Sequence, residues 1–100
     1  MDTAAKRVAI EGDLTIYTVR EWRDCLARVL DSHTLLEVDL AGVEQCDTAG
    51  VQLLAMLKLE ADAQEREVVF RNVGPSVLDL VMMFRLHGLL GLSGVVAGLA

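Results

Sequence analysis

The feature that most constrains the fold is a polar turn between two apolar segments of different periodicity. Residues 35–40 read Leu-Leu-Glu-Val-Asp-Leu, which is typical of a strand, and residues 51–63 carry apolar side chains at helical spacing. The motif Asp47–Gly50 lies between them. Aspartate is a favoured N-cap because its carboxylate accepts N–H bonds that a helix leaves unsatisfied. The sequence therefore predicts a strand, a turn at Asp47 and a helix that begins at Thr48.

Two residues of this motif suit a functional role as well as a structural one. The Thr48 hydroxyl would lie near the positive end of the helix dipole, where a phosphate finds backbone donors. Gly50 leaves room for another backbone segment to approach closely. An Asp-Thr-Ala-Gly sequence is also an ordinary helix start, and spacing alone favours that structural interpretation.

The N-terminal third predicts a strand followed by an amphipathic helix. Residues 7–11 form a short strand pattern that we expect to end at Gly12–Asp13. Thr18 is expected to cap a helix over residues 19–30, with Glu21 three positions later as in a capping box. The face predicted to be buried consists of Val19, Trp22, Leu26, Val29 and Leu30.

The C-terminal third predicts another strand and another helix. Residues 68–71 form the strand pattern, and Pro75 suits the first turn of the helix, where its missing N–H costs nothing. Gly88 is expected at the C′ position of that helix, and residues 89–100 as a docked tail or a short last helix. The helix is predicted to bury Val77, Leu80, Val81 and Phe84. Strands that alternate with helices predict one α/β domain over residues 1–100, with a mixed or parallel sheet.

The helix after Thr48 has an unusual outer face. At about 100° per residue its core face consists of Gly50, Leu53, Leu54, Leu57 and Ala61. The opposite face consists of Thr48, Gln52, Ala55 and Leu59, flanked by Val51 and Met56. A surface helix is normally polar there, whereas this face is mostly small and apolar. Either the tail or the first helix covers it, or it docks a partner protein.

Composition narrows the class of function. The chain has 100 residues, 53% of them apolar, and a formal net charge of −6. An acidic chain is a poor partner for nucleic acid and for an anionic membrane surface. Cys25 and Cys46 lack the spacing of a metal site, so we expect free thiols, no metal and no cofactor. No signal-peptide or transmembrane pattern occurs, which predicts a cytoplasmic protein without direct membrane insertion.

An enzymatic role has little support in the sequence. Cys46 with His33 or His87 is a conceivable nucleophile–base pair, but a buried, inert cysteine is the more common case. There is no phosphate-binding glycine loop of the P-loop type. A phosphate-receiver domain is disfavoured because Lys6 and Lys58 are the only lysines, and neither ends a strand. We expect no catalytic residues.

Residues 38–54, VDLAGVEQCDTAGVQLL, resemble the core of the STAS domain. Supporting similarities are found at residues 12–14 (GDL), 73–77 (VGPSV) and 84–89 (FRLHGL), so the resemblance covers about residues 7–90. The family includes bacterial anti-sigma factor antagonists and the STAS subunit of a phospholipid-transporting ABC complex. The resemblance implies a STAS-like α/β fold, with a mixed sheet of about four strands and helices packed on it.

The resemblance to the antagonists also implies a function in signal transduction and transcription regulation. Such proteins are not enzymes, and they switch partners when a regulator with a histidine-kinase-like fold phosphorylates them. The phosphoacceptor would be Thr48, within a turn formed by Asp47, Ala49 and Gly50. The expected partner, an anti-sigma factor or serine-threonine kinase-like protein, would contact the apolar outer face that includes Val51, Gln52, Ala55, Met56 and Leu59.

Two differences from the antagonists concern the neighbourhood of Thr48. They often read Gly-Glu-Leu-Asp before the first helix, whereas this chain has Thr15 at the last of these positions, with Tyr17 nearby. We also expect no room in this sequence for the extra N-terminal strand that longer antagonists carry. Its compactness and its Asp-Thr-Ala-Gly motif are similar to the transport subunit. The alternative expectation is therefore a subunit that docks on an ABC-transporter ATPase, with Thr48 as an unmodified contact.

Overall fold

A computed structural model describes residues 5–93 as three β-strands that alternate with three α-helices. The elements are β1 (Ala5–Leu14), α1 (Val19–Ser32), β2 (Leu35–Cys46), α2 (Thr48–Ala63), β3 (Glu67–Arg71) and α3 (Pro75–Met83). Both strand pairs are parallel, and the strand order is β1-β2-β3. The predicted α/β class is confirmed. The described part of the sheet is all-parallel with three strands, which corrects the expectation of a mixed sheet of about four.

The sheet has one buried face and one exposed face. In β2, Leu36, Val38 and Leu40 are buried, whereas Glu37 and Asp39 between them are partly exposed. Right-handed β-α-β connections between strands in this order place both crossover helices on the same face, and α1 indeed packs against α2. The helices therefore cover the apolar side of the sheet and leave the charged side open.

Strands β1 and β2 are longer than the sequence pattern indicates. Gly12 was expected to end β1 but continues it with φ +88°, and the strand ends at Leu14. β2 was expected to end at Leu40 but runs to Cys46. The parallel pairing with β1 keeps this less apolar part extended and aligns Leu14 with Cys46. Asp47 therefore lies at the carboxyl end of the sheet, beside the end of β1.

The capping box predicted at the start of α1 is not formed. Thr18 has φ −119° and ψ −15°, and its side chain makes no cap hydrogen bond. Instead, its hydroxyl donates to the carbonyl oxygen of Asp13 at 2.8 Å and accepts from the amide of Thr15 at 3.0 Å. Thr18 therefore stabilises the β1–α1 loop, and Glu21 has no reciprocal role.

Helix α3 begins at Pro75 as predicted, but its end differs from the expectation. Leu86 N–H donates to the carbonyl of Val81, and Arg85 N–H to that of Met82, which is a Schellman motif. Arg85, with φ +56°, occupies the left-handed position that was assigned to Gly88. Phe84 was predicted to be buried, but it is the C-cap residue of α3 and is 45% exposed.

The segment after α3 returns to the core. Leu90 and Leu92 are both buried, in agreement with the docked-tail alternative. The remainder of the predicted tail, residues 94–100, lies outside the described residues.

Candidate functional site

Asp47 connects three segments at the carboxyl end of the sheet. One carboxylate oxygen, Oδ1, accepts a hydrogen bond from Gly50 N–H at 3.1 Å, as an N-cap does. The other, Oδ2, accepts from Ile16 N–H at 3.0 Å, and the backbone N–H of Asp47 donates to the carbonyl of Leu14 at 3.3 Å. The predicted cap is confirmed. The same carboxylate also fixes the β1–α1 loop against the start of α2.

Gly50 is the point of closest approach between α2 and β1. A Cβ atom at this position would lie 2.2 Å from the carbonyl oxygen of Leu14 and 2.9 Å from the sulfur of Cys46. Both distances are shorter than van der Waals contact allows, and the nearer atom belongs to the backbone. The prediction that Gly50 permits a close backbone approach is confirmed.

Thr48 is the first residue of α2 and is exposed, as predicted. The amide of Gly50 is engaged by the Asp47 carboxylate, and that of Val51 donates to the Asp47 carbonyl at 3.2 Å. The N–H groups of Thr48 and Ala49 are the first-turn donors that Asp47 does not engage. The turn therefore presents a hydroxyl beside helix N-terminal donors, which is a favourable setting for an added phosphate.

The β1–α1 loop brings exposed apolar groups to the same end of the molecule. Tyr17 is 92% exposed and Ile16 is 65% exposed, while Thr15 is partly buried and its hydroxyl accepts from Tyr17 N–H at 3.4 Å. The N–H group of Ile16, between these two residues, places the loop beside Asp47, and the roles expected of Thr15 and Tyr17 in the site stay predictions. Ile16 was not among the predicted site residues, although an apolar residue in the loop between a strand and a helix was the available signal.

Helix α2 has the predicted core face and most of the predicted outer face. Gly50, Leu53, Leu54, Leu57 and Ala61 are buried. Thr48, Gln52, Met56 and Leu59 are exposed, and Ala55 is partly buried. The prediction that Val51 contacts a partner is wrong, because Val51 is only 1% exposed. The buried arc of α2 is wider than one stripe because the helix packs against α1, α3 and the sheet.

A groove of about 190 Å³ lies between the N-terminal halves of α1 and α2. Its lining residues are Val19, Arg20, Arg23, Ala49, Gln52, Leu53 and Met56. Neither arginine was among the residues predicted for the site. The groove is smaller than the few hundred Å³ of a typical small-molecule pocket, so the surface better suits contact with protein side chains.

Cys46 lies next to the site but lacks the character of a nucleophile. Burial raises the pKa of its thiol to about 11, and the neighbouring negative charge of Asp47 adds to the increase. His33 is engaged elsewhere, since its Nδ1 lies 2.8 Å from the carbonyl oxygen of Val29. A neutral thiol attacks poorly at neutral pH, so this environment disfavours cysteine chemistry.

Among residues 5–93, no group of three or more His, Cys, Asp or Glu residues is arranged to hold a metal ion. The helices of residues 5–93 are all too short or too polar for a membrane span.

The fold and the turn define a small α/β domain with an exposed threonine at the start of its central helix. The family model described as "Mlab, STAS domain" matches residues 1–92. The chain therefore belongs to the STAS domain family. A search of curated proteins found no match.

Proposed function

We propose that this chain is a non-enzymatic regulatory protein that acts by partner switching, in the manner of an anti-sigma factor antagonist. It binds a partner through the outer face of α2 and releases it when a histidine-kinase-like serine-threonine kinase phosphorylates Thr48. The observation that carries the proposal is the position of Thr48. Its exposed hydroxyl directly follows Asp47, which holds the loop with exposed Ile16 and Tyr17, and it begins the helix that carries exposed Met56 and Leu59.

A phosphate on Thr48 would affect the fold and the interface differently. At the helix N-terminus the added charge meets the dipole and the N–H groups of Thr48 and Ala49, so the fold tolerates it. At an apolar contact the same charge of nearly −2 must be desolvated, which opposes binding. Phosphorylation would therefore release the partner without unfolding the domain.

A second candidate function is docking on an ABC-transporter ATPase, with Thr48 as an unmodified contact. Two observations favour it. The chain has Thr15 where the antagonists often have an acidic residue, and its Asp-Thr-Ala-Gly motif is similar to that of the transport subunit. The same face of α2 would then contact the ATPase.

Site-specific photo-crosslinking in native cells would separate these functions. A photoreactive amino acid at Gln52 lies on the proposed docking face, and one at Arg28, exposed on α1, serves as the control position. Partner switching predicts that the Gln52 probe captures a kinase-like regulator, that Thr48→Glu abolishes the adduct, and that phosphate is found on Thr48 by mass spectrometry.

The control for added charge is Ser32→Glu. Ser32 is the last residue of α1, away from the start of that helix beside the proposed site, so this variant should leave the adduct unchanged. Capture of a transporter ATPase by both wild type and Thr48→Glu would support the second function. Partner switching is contradicted if Thr48→Glu changes the affinity for the captured regulator by less than about threefold, which is under 1 kcal/mol.

A further inference from the structure

The two edge strands of the sheet, β1 and β3, differ in how far other groups block pairing with a strand from another chain. At β3, Lys58 Nζ donates to the carbonyl of Val68 at 2.9 Å, and Leu90 and Gly91 share a small cavity with the strand. At β1, no other strand within residues 5–93 pairs with the outer side. A long unpaired edge strand presents N–H and C=O groups that another strand can join.

The edge strand β1 contains no extra residue that would interrupt such pairing. Between Ala9 and Glu11 of β1, the register of the partner strand advances from Asp39 to Gly42, so the additional residue belongs to β2. The second register shift, between Gly12 and Leu14, likewise places the additional residue in β2. A bulge bends the strand that contains it, so the edge strand avoids this common protective device.

The charges along β1 are complementary to those of a second, antiparallel β1. Arg7, Ala9 and Glu11 alternate onto the exposed face of the strand. If Ala9 lies opposite Ala9 of another copy, Arg7 of each chain lies opposite Glu11 of the other. Arg7 also lies diagonal to Asp13 in this register. Opposite charges on facing residues of antiparallel strands attract, and the two-fold axis makes each contact occur twice.

The same register extends the apolar face of the sheet. It places Val8 of one copy opposite Ile10 of the other, on the side of the sheet that the helices cover. Val8 is partly exposed at the margin of the core, whereas Ile10 is fully buried. A second copy would thus cover Val8 with another apolar side chain.

We propose that two copies of this chain pair antiparallel along β1 and form one continuous six-stranded sheet with its two-fold axis at Ala9. Thr48 lies at the carboxyl end of each three-stranded half, so the two Thr48 sites point to opposite ends of the dimer. The dimer would therefore present two separate docking faces, and its formation is independent of the partner-switching proposal.

Charge exchange tests the proposed register. Sedimentation equilibrium of the wild-type chain should show association from 10.9 kDa to twice that mass with rising concentration. Arg7→Glu and Glu11→Arg should each raise the dimer dissociation constant at least about tenfold, because each substitution creates two repulsive contacts. An equimolar mixture of the two variants should form a heterodimer, and the Arg7→Glu/Glu11→Arg double variant should dimerise again.

Arg71→Glu is the matched control. Arg7 and Arg71 both pair with Glu37, at 3.8 and 3.4 Å, but Arg71 lies on the opposite edge of the sheet. This variant should remain dimeric, with circular dichroism confirming the fold of every variant. A wild-type chain that stays monomeric at about 1 mM would overturn the proposal. So would single variants that dimerise like the wild type, or a mixture that remains monomeric.

Discussion

Asp47 Oδ2 accepts a hydrogen bond from the amide of Ile16, a residue 31 positions earlier in the chain, at 3.0 Å. The other carboxylate oxygen caps α2 through Gly50 N–H. One side chain therefore determines both the start of the central helix and the position of the loop that carries Ile16 and Tyr17. The shape of the proposed docking face depends on this double acceptor.

Replacement of Asp47 by alanine should remove both hydrogen bonds. The loss of the cap and of the loop contact together should lower the free energy of unfolding by about 1–3 kcal/mol. Asp47→Asn retains one acceptor oxygen and should give a smaller loss. Urea titration measures the stability, and hydrogen exchange should show faster exchange at Ile16 N–H.

Asp31→Ala is the control. Asp31 is exposed in the last turn of α1, so its replacement should change the free energy of unfolding by less than about 0.5 kcal/mol. Unchanged exchange at Ile16 in Asp47→Ala would show that the carboxylate does not hold the loop.

Gly50→Ala should destabilise the fold even though alanine favours helices by about 1 kcal/mol over glycine. The new methyl group would meet the Leu14 carbonyl at 2.2 Å, and that backbone is fixed within the sheet. Overpacking of this kind typically costs about 1–3 kcal/mol. Gly88→Ala, where nothing lies within 4 Å, should be nearly neutral in the same urea titration. A stable Gly50→Ala would mean that α2 moves away from β1 at little cost.

The parts of the site that depend on local chemistry could be predicted from the sequence. Asp47 is a cap because of its carboxylate, and Thr48 begins the helix because it follows the cap. Gly50 indicated a close backbone approach because it has no side chain, but the sequence could not show that the approaching group is the carbonyl of Leu14. The core face of α2 also follows directly from helical spacing.

The parts that depend on distant residues could not be predicted. β2 continues past Leu40 only because β1 lies beside it, since Ala41 and Gly42 show no strand alternation. Val51 is buried by packing on a second side of α2, which the helical wheel cannot show. Arg85 rather than Gly88 takes the left-handed position because α3 ends one turn earlier than its apolar residues indicate.

The Cys46 thiol should be unreactive in the folded protein. With its pKa raised to about 11, little thiolate exists at pH 8, so alkylation by iodoacetamide should be at least about tenfold slower than in the urea-unfolded chain. The unfolded thiol ionises near pH 9, so the folded state should lose stability as the pH rises from about 9 to 11. Cys46→Ala should lack this part of the pH dependence. Equal alkylation rates in the folded and unfolded chains would contradict the burial of the thiol.

Substitutions at Leu57 and Leu59, two residues apart on α2, should affect different properties: the first the stability of the fold, the second the affinity for a partner. Leu57 is 3% exposed, so Leu57→Ala should cost about 2–5 kcal/mol of stability. Leu59 is 54% exposed, so Leu59→Lys should change stability by less than about 0.5 kcal/mol. Leu59→Lys should nevertheless weaken binding of the partner captured through Gln52 by at least about tenfold, because a charge enters an apolar contact. Urea titration measures the stability, and a binding titration measures the affinity.

If Leu59→Lys destabilises the fold as much as Leu57→Ala does, the outer face of α2 is structural. If it leaves both stability and affinity unchanged, the partner contacts another surface.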